Sequence, residues 1–106
     1  MSHVMLCLTT APDALAAKSL SEGLLNARLA ACVSTLPGAE SMYWWEGKLE
    51  TSAEFLLLIK TTADLTGQLK EFITAHHPYD TPELLCLPIA DGLEKYLKWV
   101  QQETRP

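Results

Sequence analysis

An α+β fold, one antiparallel sheet with helices on one of its faces, is predicted by three features of this 106-residue chain. Strand-length apolar runs and helical-period segments follow the order strand, helix, strand, strand, helix, strand, and a short helical segment closes the chain. The stretch Met42–Glu50, MYWWEGKLE, reads as a hairpin turning at Glu46-Gly47-Lys48. The runs Val4–Leu8, Phe55–Ile59 and Leu84–Leu87 are continuously apolar, as in strands covered on both faces.

Each element has its local reason. His3–Thr10 is apolar and rich in strand formers, and Ala11-Pro12-Asp13 then opens a helix. Thr10 is placed to cap it, Pro12 suits a first turn, and Asp13 complements the helix dipole. Ala16, Leu20, Gly23, Leu24, Ala27 and Ala31 share a face. Gly23 costs about 1 kcal/mol against Ala in a helix, so it marks a close backbone contact. Residues 31–36 form the second strand, Pro37-Gly38 bends or bulges it, and it resumes over 39–45. The return strand spans 49–61, and Thr61-Thr62-Ala63-Asp64 resembles a reciprocal helix cap.

Leu65, Leu69, Phe72 and His76 form the second helix's apolar face, which ends at His77-Pro78 because a residue before proline is pushed out of the helical region. Pro82–Ile89 is the fourth strand, with Pro88 suited to a sheet edge. Asp91 and Glu94 form a second capping pair, Leu93, Tyr96, Leu97 and Val100 a last stripe, and residues 103–106 are expected to fray. This order is the split β-α-β, ferredoxin-like plan with an extra C-terminal helix.

In that plan the far sheet face should be wet, yet here it is apolar. In a strand Tyr43 and Trp45 face one way and Met42 and Trp44 the other. A Trp left in water forgoes roughly 4–6 kcal/mol of transfer free energy as an upper bound. One short helix cannot cover four strands and an aromatic ribbon, so a second copy is expected against this face, with the hairpin reaching a neighbour.

Length places residues 1–106 in one domain. Eight Lys and Arg against thirteen Asp and Glu give a net charge of -5, which argues against nucleic acid as a partner. No targeting segment or membrane span is visible, and three widely spaced cysteines without a CxxC pair suit a reducing, cytoplasmic setting. No nucleophile–base, phosphate-loop or dinucleotide motif occurs, so a non-enzymatic role is expected.

The densest polar group is His76-His77-Pro78-Tyr79-Asp80. Imidazoles suit copper or zinc, but adjacent helical residues diverge by about 100°. One ion would need the helix opened and a further donor from Cys7, Asp80, Glu83 or another subunit. The competing role is a helix end favoured by His. The three cysteines read mainly as small buried apolar residues. Lys60, ending an apolar strand, either snorkels or holds an anion at a subunit junction.

The segments Arg28–Val33, Pro37-Gly38, Ser41, Tyr43–Lys48, Leu58–Thr61, His77-Pro78-Tyr79 and Thr81-Pro82-Glu83, in this order, resemble the CutA divalent cation tolerance proteins over nearly the whole chain. The resemblance implies a ferredoxin-like protomer in a PII-like homotrimer and a link to copper and other divalent metals. It also implies metal ligands at His76 and His77 with a cysteine just before the Thr-Ala-Pro-Asp turn. Thr9 occupies that cysteine position, and Cys7 lies two residues earlier on the same strand face. The alternative it suggests is a sensor or scaffold binding a small ligand or a protein at inter-subunit clefts, with Tyr43, Trp44, Trp45, Lys60, Tyr79 and Glu83 as cleft residues.

Overall fold

The computed structural model describes residues 3–105. Four strands, β1 (Val4–Ala11), β2 (Cys32–Trp45), β3 (Lys48–Thr62) and β4 (Leu85–Pro88), form one antiparallel sheet in the order β2-β3-β1-β4. Helices α1 (Ala14–Asn26), α2 (Thr66–His76) and α3 (Glu94–Glu103) complete it. Among the described residues no helix is long and apolar enough to cross a membrane.

The core lies between the sheet and the first two helices. Cys7, Ala11, Leu57 and Ile59 meet Ala17, Leu20 and Leu24 of α1 and Leu69 and Ile73 of α2. Ile73, not Phe72, is the buried residue of the last turn of α2, while Phe72 is half-buried and stacks on His76 at 4.2 Å between ring centroids. Gly23 does mark a close approach, to α2 rather than to the sheet. A Cβ there would lie 2.5 Å from Phe72 Cζ. Gly23→Val should therefore lose about 1–3 kcal/mol in urea unfolding, because the Phe72 ring must leave its stack. Gly23→Ala should lose less, since its helix propensity returns about 1 kcal/mol.

Five local expectations are corrected. The cap of α1 is Asp13, whose carboxylate accepts from the Ala16 N–H at 2.8 Å, because β1 keeps Thr10 extended up to Ala11. Neither proposed capping pair forms. Thr62 donates to Asp64 at 2.6 Å ahead of a short 3-10 turn, and Asp91 accepts from the Gly92 N–H at 2.8 Å while Leu93 begins α3 with no side-chain cap. The C-terminal residues do not fray. Thr104 is buried with its hydroxyl on Val100 O at 2.8 Å, and Glu103 pairs with Arg28 at 2.9 Å. Pro106 lies outside the described residues. The fourth strand is also shorter than Pro82–Ile89, with only four residues on the edge beside β1.

The opposite sheet face is where the hydropathy pattern pointed. Cross-strand register sets side chains in rows there. One row is Ser34, Leu58, Leu8 and Leu85, and the next is Cys32, Lys60, Leu6 and Leu87. Helix α3 touches β1 and β3 and brings Tyr96 to Cys32, where Val4 and Thr62 are buried. Beyond it the face stays open: Leu36, Leu85 and Leu87 are exposed and Leu6, Leu8, Leu56 and Leu58 are half-buried. Of the stripe on α3 only Val100 is buried, and Leu93, Tyr96 and Trp99 remain exposed.

The hairpin does not fold back over this face. Strands β2 and β3 continue as a two-stranded ribbon that stretches the protomer to 44 Å. Its turn is two residues, Glu46 and Gly47, with φ of 50° and 76°. Both are left-handed, the geometry whose twist matches a hairpin. At the ribbon's base the register shifts between Leu36 and Ala39, with Gly38 at φ 84°, so Pro37-Gly38 is a bulge.

Candidate functional site

The chemistry-bearing residues collect where the ribbon leaves the sheet. Pro78 ends α2 and sets His77 extended, with ψ 138°. That swings the imidazole inward, where it is buried. Its Nε2 lies 2.7 Å from Thr10 O, and its Nδ1 accepts from the Tyr79 N–H at 3.1 Å. A carbonyl only accepts, so these two bonds together require the proton on Nε2.

From Tyr79 the network crosses to the ribbon. The phenol sits 4.9 Å from the His77 ring and donates to Glu54 Oε2 at 2.9 Å. Burial alone would raise the Glu54 carboxyl. Bonds from Ser41, Tyr79 and Thr10, with the nearby His77, outweigh it and hold Glu54 below the usual carboxylate range. Tyr79 is pushed up to about 12, first by burial and then by its bond to Glu54. It therefore stays a donor at neutral pH.

Glu54 consequently sets an acid limb. Its folded carboxyl titrates below the unfolded value of roughly 4.3, so its contribution to stability is present above that pH and is lost as pH falls through the folded value. The stability difference between wild type and Glu54→Gln, from urea unfolding at a series of pH values, should shift against wild type below about pH 4.3. A difference independent of pH there would contradict this assignment.

These groups form one wall of a cleft of about 790 Å³. The other walls are the ribbon, with Tyr43, Trp44 and Trp45, and the chain segment after α2, with Asp80 and Glu83. Tyr43 is held by a bond between its hydroxyl and Ser52 Oγ at 2.7 Å. Glu83 is fixed through its backbone, whose carbonyl accepts from the Thr9 hydroxyl at 2.6 Å.

Five of the expected cleft residues, Tyr43, Trp44, Trp45, Tyr79 and Glu83, thus line one cleft within a single protomer. Lys60 does not. It lies beside α3, donating to Ser34 Oγ at 2.6 Å and toward Cys32 Sγ at 3.7 Å. Glu54, Thr10 and Ser41 were missed from sequence. The available signal was Glu54 itself, an acid set between Ala53 and Phe55 at the start of an apolar strand.

The expected metal donors do not converge. His76 is exposed, with Nδ1 on Phe72 O at 3.0 Å and its ring stacked on Phe72. Both ring nitrogens of His77 are engaged. The Cys7 thiol is fully buried on the helix side, opposite Cys86 in β4, and burial followed by Cys86 pushes it well above the usual thiol range. Thr9 is buried and spends its hydroxyl on Glu83 O. Among the described residues no group of three or more His, Cys, Asp or Glu could hold a metal ion. The residues of one protomer therefore do not fit a closed three-ligand copper centre.

A family model described as CutA1 divalent ion tolerance protein matches residues 5–103, which include the cleft, the ribbon and the open sheet face. The chain belongs to the CutA1 family. The divalent-cation tolerance protein CutA of Yersinia pestis (strain Pestoides F) is 50% identical over 99 residues, covering 93% of this chain and 83% of that protein. The crystal structure of CutA1 from Oryza sativa superposes with a TM-score of 0.95 at 45% identity, covering 98% of this chain and 95% of that one. The periplasmic divalent cation tolerance protein CutA from Archaeoglobus fulgidus gives 0.93 at 33% identity over 96% of this chain and 99% of its own. The α+β fold and the link to divalent-cation tolerance are thus properties of the CutA1 family to which the chain belongs.

Proposed function

We propose that the protein is a homotrimer of ferredoxin-like protomers that serves divalent-cation tolerance by binding rather than catalysis, in a reducing, cytoplasmic setting. The observation carrying this reading is the open apolar sheet face, whose leucine rows end at edge strands on both sides. The strand order β2-β3-β1-β4 supports the ferredoxin-like plan, and the three free cysteines support the reducing setting. The number three rests on the family resemblance. Light scattering should return the mass of three 11.7 kDa chains at micromolar protein, and a solitary chain would sink the reading.

Copper or another divalent metal enters this reading through His76. Its Nε2 is the ring nitrogen left for a ligand, and further donors would come from a neighbouring copy or from a partner. Calorimetric titration of the assembled protein should show weak copper binding that drops in His76→Ala. Identical binding in that variant removes His76 as the site.

A second reading is favoured by the cleft: a PII-like sensor or scaffold that takes a small ligand beside the ribbon, or a protein partner across it. Its volume of about 790 Å³ falls within the range of small-molecule sites, roughly 300–1,000 Å³. A saturating thermal shift with a small molecule would support it.

A further inference from the structure

We propose that Cys7 and Cys86 are a peroxide-responsive thiol pair, which closes to a disulfide between β1 and β4 and staples the short edge strand to the sheet.

Strand register is the first argument. Cys7 lies directly opposite Cys86. The Ile89 N–H donates to Val4 O at 3.1 Å, so Val4 and Ile89 form a hydrogen-bonded pair one step before Met5 and Pro88. Pair types alternate along an antiparallel ladder, which makes Met5 with Pro88 and Cys7 with Cys86 non-hydrogen-bonded pairs. Pro88 suits that position, having no N–H to give the ladder. Side chains approach most closely there, with Cα atoms about 4.5 Å apart, within the roughly 4.4–6.8 Å that a disulfide spans. The two thiols are also hydrogen-bond partners.

Setting is the second argument. Both thiols face the helical layer, Cys7 fully buried and Cys86 half-buried at the core's margin. The exposure of Cys86 is therefore not that of the leucine face which a second copy covers. Cys32 differs, since it lies on that other face opposite Lys60. Burial keeps the Cys7 thiol protonated, so Cys86 meets the oxidant first. Its sulfur attacks one oxygen of hydrogen peroxide, the O–O bond breaks, and Cys86 becomes a sulfenic acid with release of water. The Cys7 sulfur then attacks Cys86 Sγ, the S–O bond breaks, and the Cys7 proton leaves with hydroxide as a second water. Two thiols are oxidised to one disulfide, and one peroxide is reduced to two waters. A reducing thiol reopens the bond by exchange, which suits a transient disulfide in a reducing setting. Strand β4 has only four residues, and the chain beyond it leads to α3. A bond within it holds this edge against local opening.

The test treats the assembled native protein with hydrogen peroxide, then counts free thiols after denaturation and maps the linked peptides by mass spectrometry. Wild type should fall from three free thiols to one, with Cys7 joined to Cys86 within one chain, and dithiothreitol should restore all three. Cys32→Ser should still form the link. Cys7→Ala should instead leave Cys86 as a sulfenic acid that dimedone traps. Should that variant not fold, Cys86→Ala, at the half-buried edge position, should keep Cys7 as a free thiol. Amide exchange at Leu85 and Leu87 should slow several-fold in the linked protein. Three thiols surviving a peroxide dose that fully oxidises free glutathione overturn the pair. So does a link to Cys32, a link between chains, or sulfinic acid on Cys86 with Cys7 still free. No dimedone adduct in Cys7→Ala, or Cys7 oxidised in Cys86→Ala where that is the variant that folds, overturns the lead of Cys86. Unchanged exchange at Leu85 and Leu87 in the linked protein overturns the staple.

Discussion

Leu58→Asp should reduce the protein to a solitary 11.7 kDa chain. Leu58 sits mid-sheet on the open face, between Ser34 and Leu8 in its row, and is half-buried in the isolated protomer. There a carboxylate can stay hydrated while the chain is alone. Covered by a second copy it would lose that water, and Lys60, which reaches this row at Ser34 Oγ (2.6 Å), offsets only part of a desolvation cost of several kcal/mol. The lost leucine removes a further 1.5–3 kcal/mol or so of burial. The two effects act on association and leave the helix-side core untouched. Leu15→Asp is the control, since Leu15 is 79% exposed on α1. Light scattering should show the first variant small and the second unchanged. The reverse result would move the interface to the helical layer.

His77→Ala should be the most damaging single change at the cleft, costing about 2–4 kcal/mol at fixed protein concentration. Two buried backbone groups depend on the imidazole, Thr10 O at 2.7 Å and the Tyr79 N–H at 3.1 Å. Each loses its partner, and an unsatisfied buried polar group costs about 1–3 kcal/mol. His77→Gln separates the two, because its amide can still donate toward Thr10 O while nothing replaces Nδ1. An intermediate loss is expected in urea unfolding. Equal stability of the alanine variant and wild type would mean that the ring is dispensable to the fold. His76→Ala, which removes an exposed ring stacked on Phe72, should cost far less.

These contrasts show what the sequence made legible. The ribbon was readable because Glu46-Gly47 follows a run of aromatic strand formers, and its period predicts which side chains share a face. The apolar second face was readable because Val4–Leu8 and Phe55–Ile59 do not alternate. Glu54 was not readable as a cleft residue. Its partner Tyr79 is 25 positions away and reaches it only after Pro78 redirects the chain. The engagement of His77 was hidden for the same reason, as Thr10 lies 67 positions off. The cap at Asp13 turned on how far β1 runs, and strand ends are poorly marked in composition. Glu103 tied to Arg28 overruled the expected fraying through an exposed pair that no local pattern announces.

The single surplus residue at Pro37-Gly38 reaches further than its size suggests. Below it β2 directs Cys32, Ser34 and Leu36 to the side of Leu56 and Leu58; above it the parity is inverted, so Ser41, Tyr43 and Trp45 take up that side opposite Ser52, Glu50 and Lys48. Paired without the bulge, with Gly38 opposite Glu54, the ribbon would set Met42 opposite Glu50 and Trp44 opposite Lys48, exchanging a phenol and an indole for a thioether and an indole on the carboxylate's side. One backbone irregularity thus chooses which chemistry the hairpin shows to Glu54, and a slip of register there would rewrite the cleft without altering a residue that lines it.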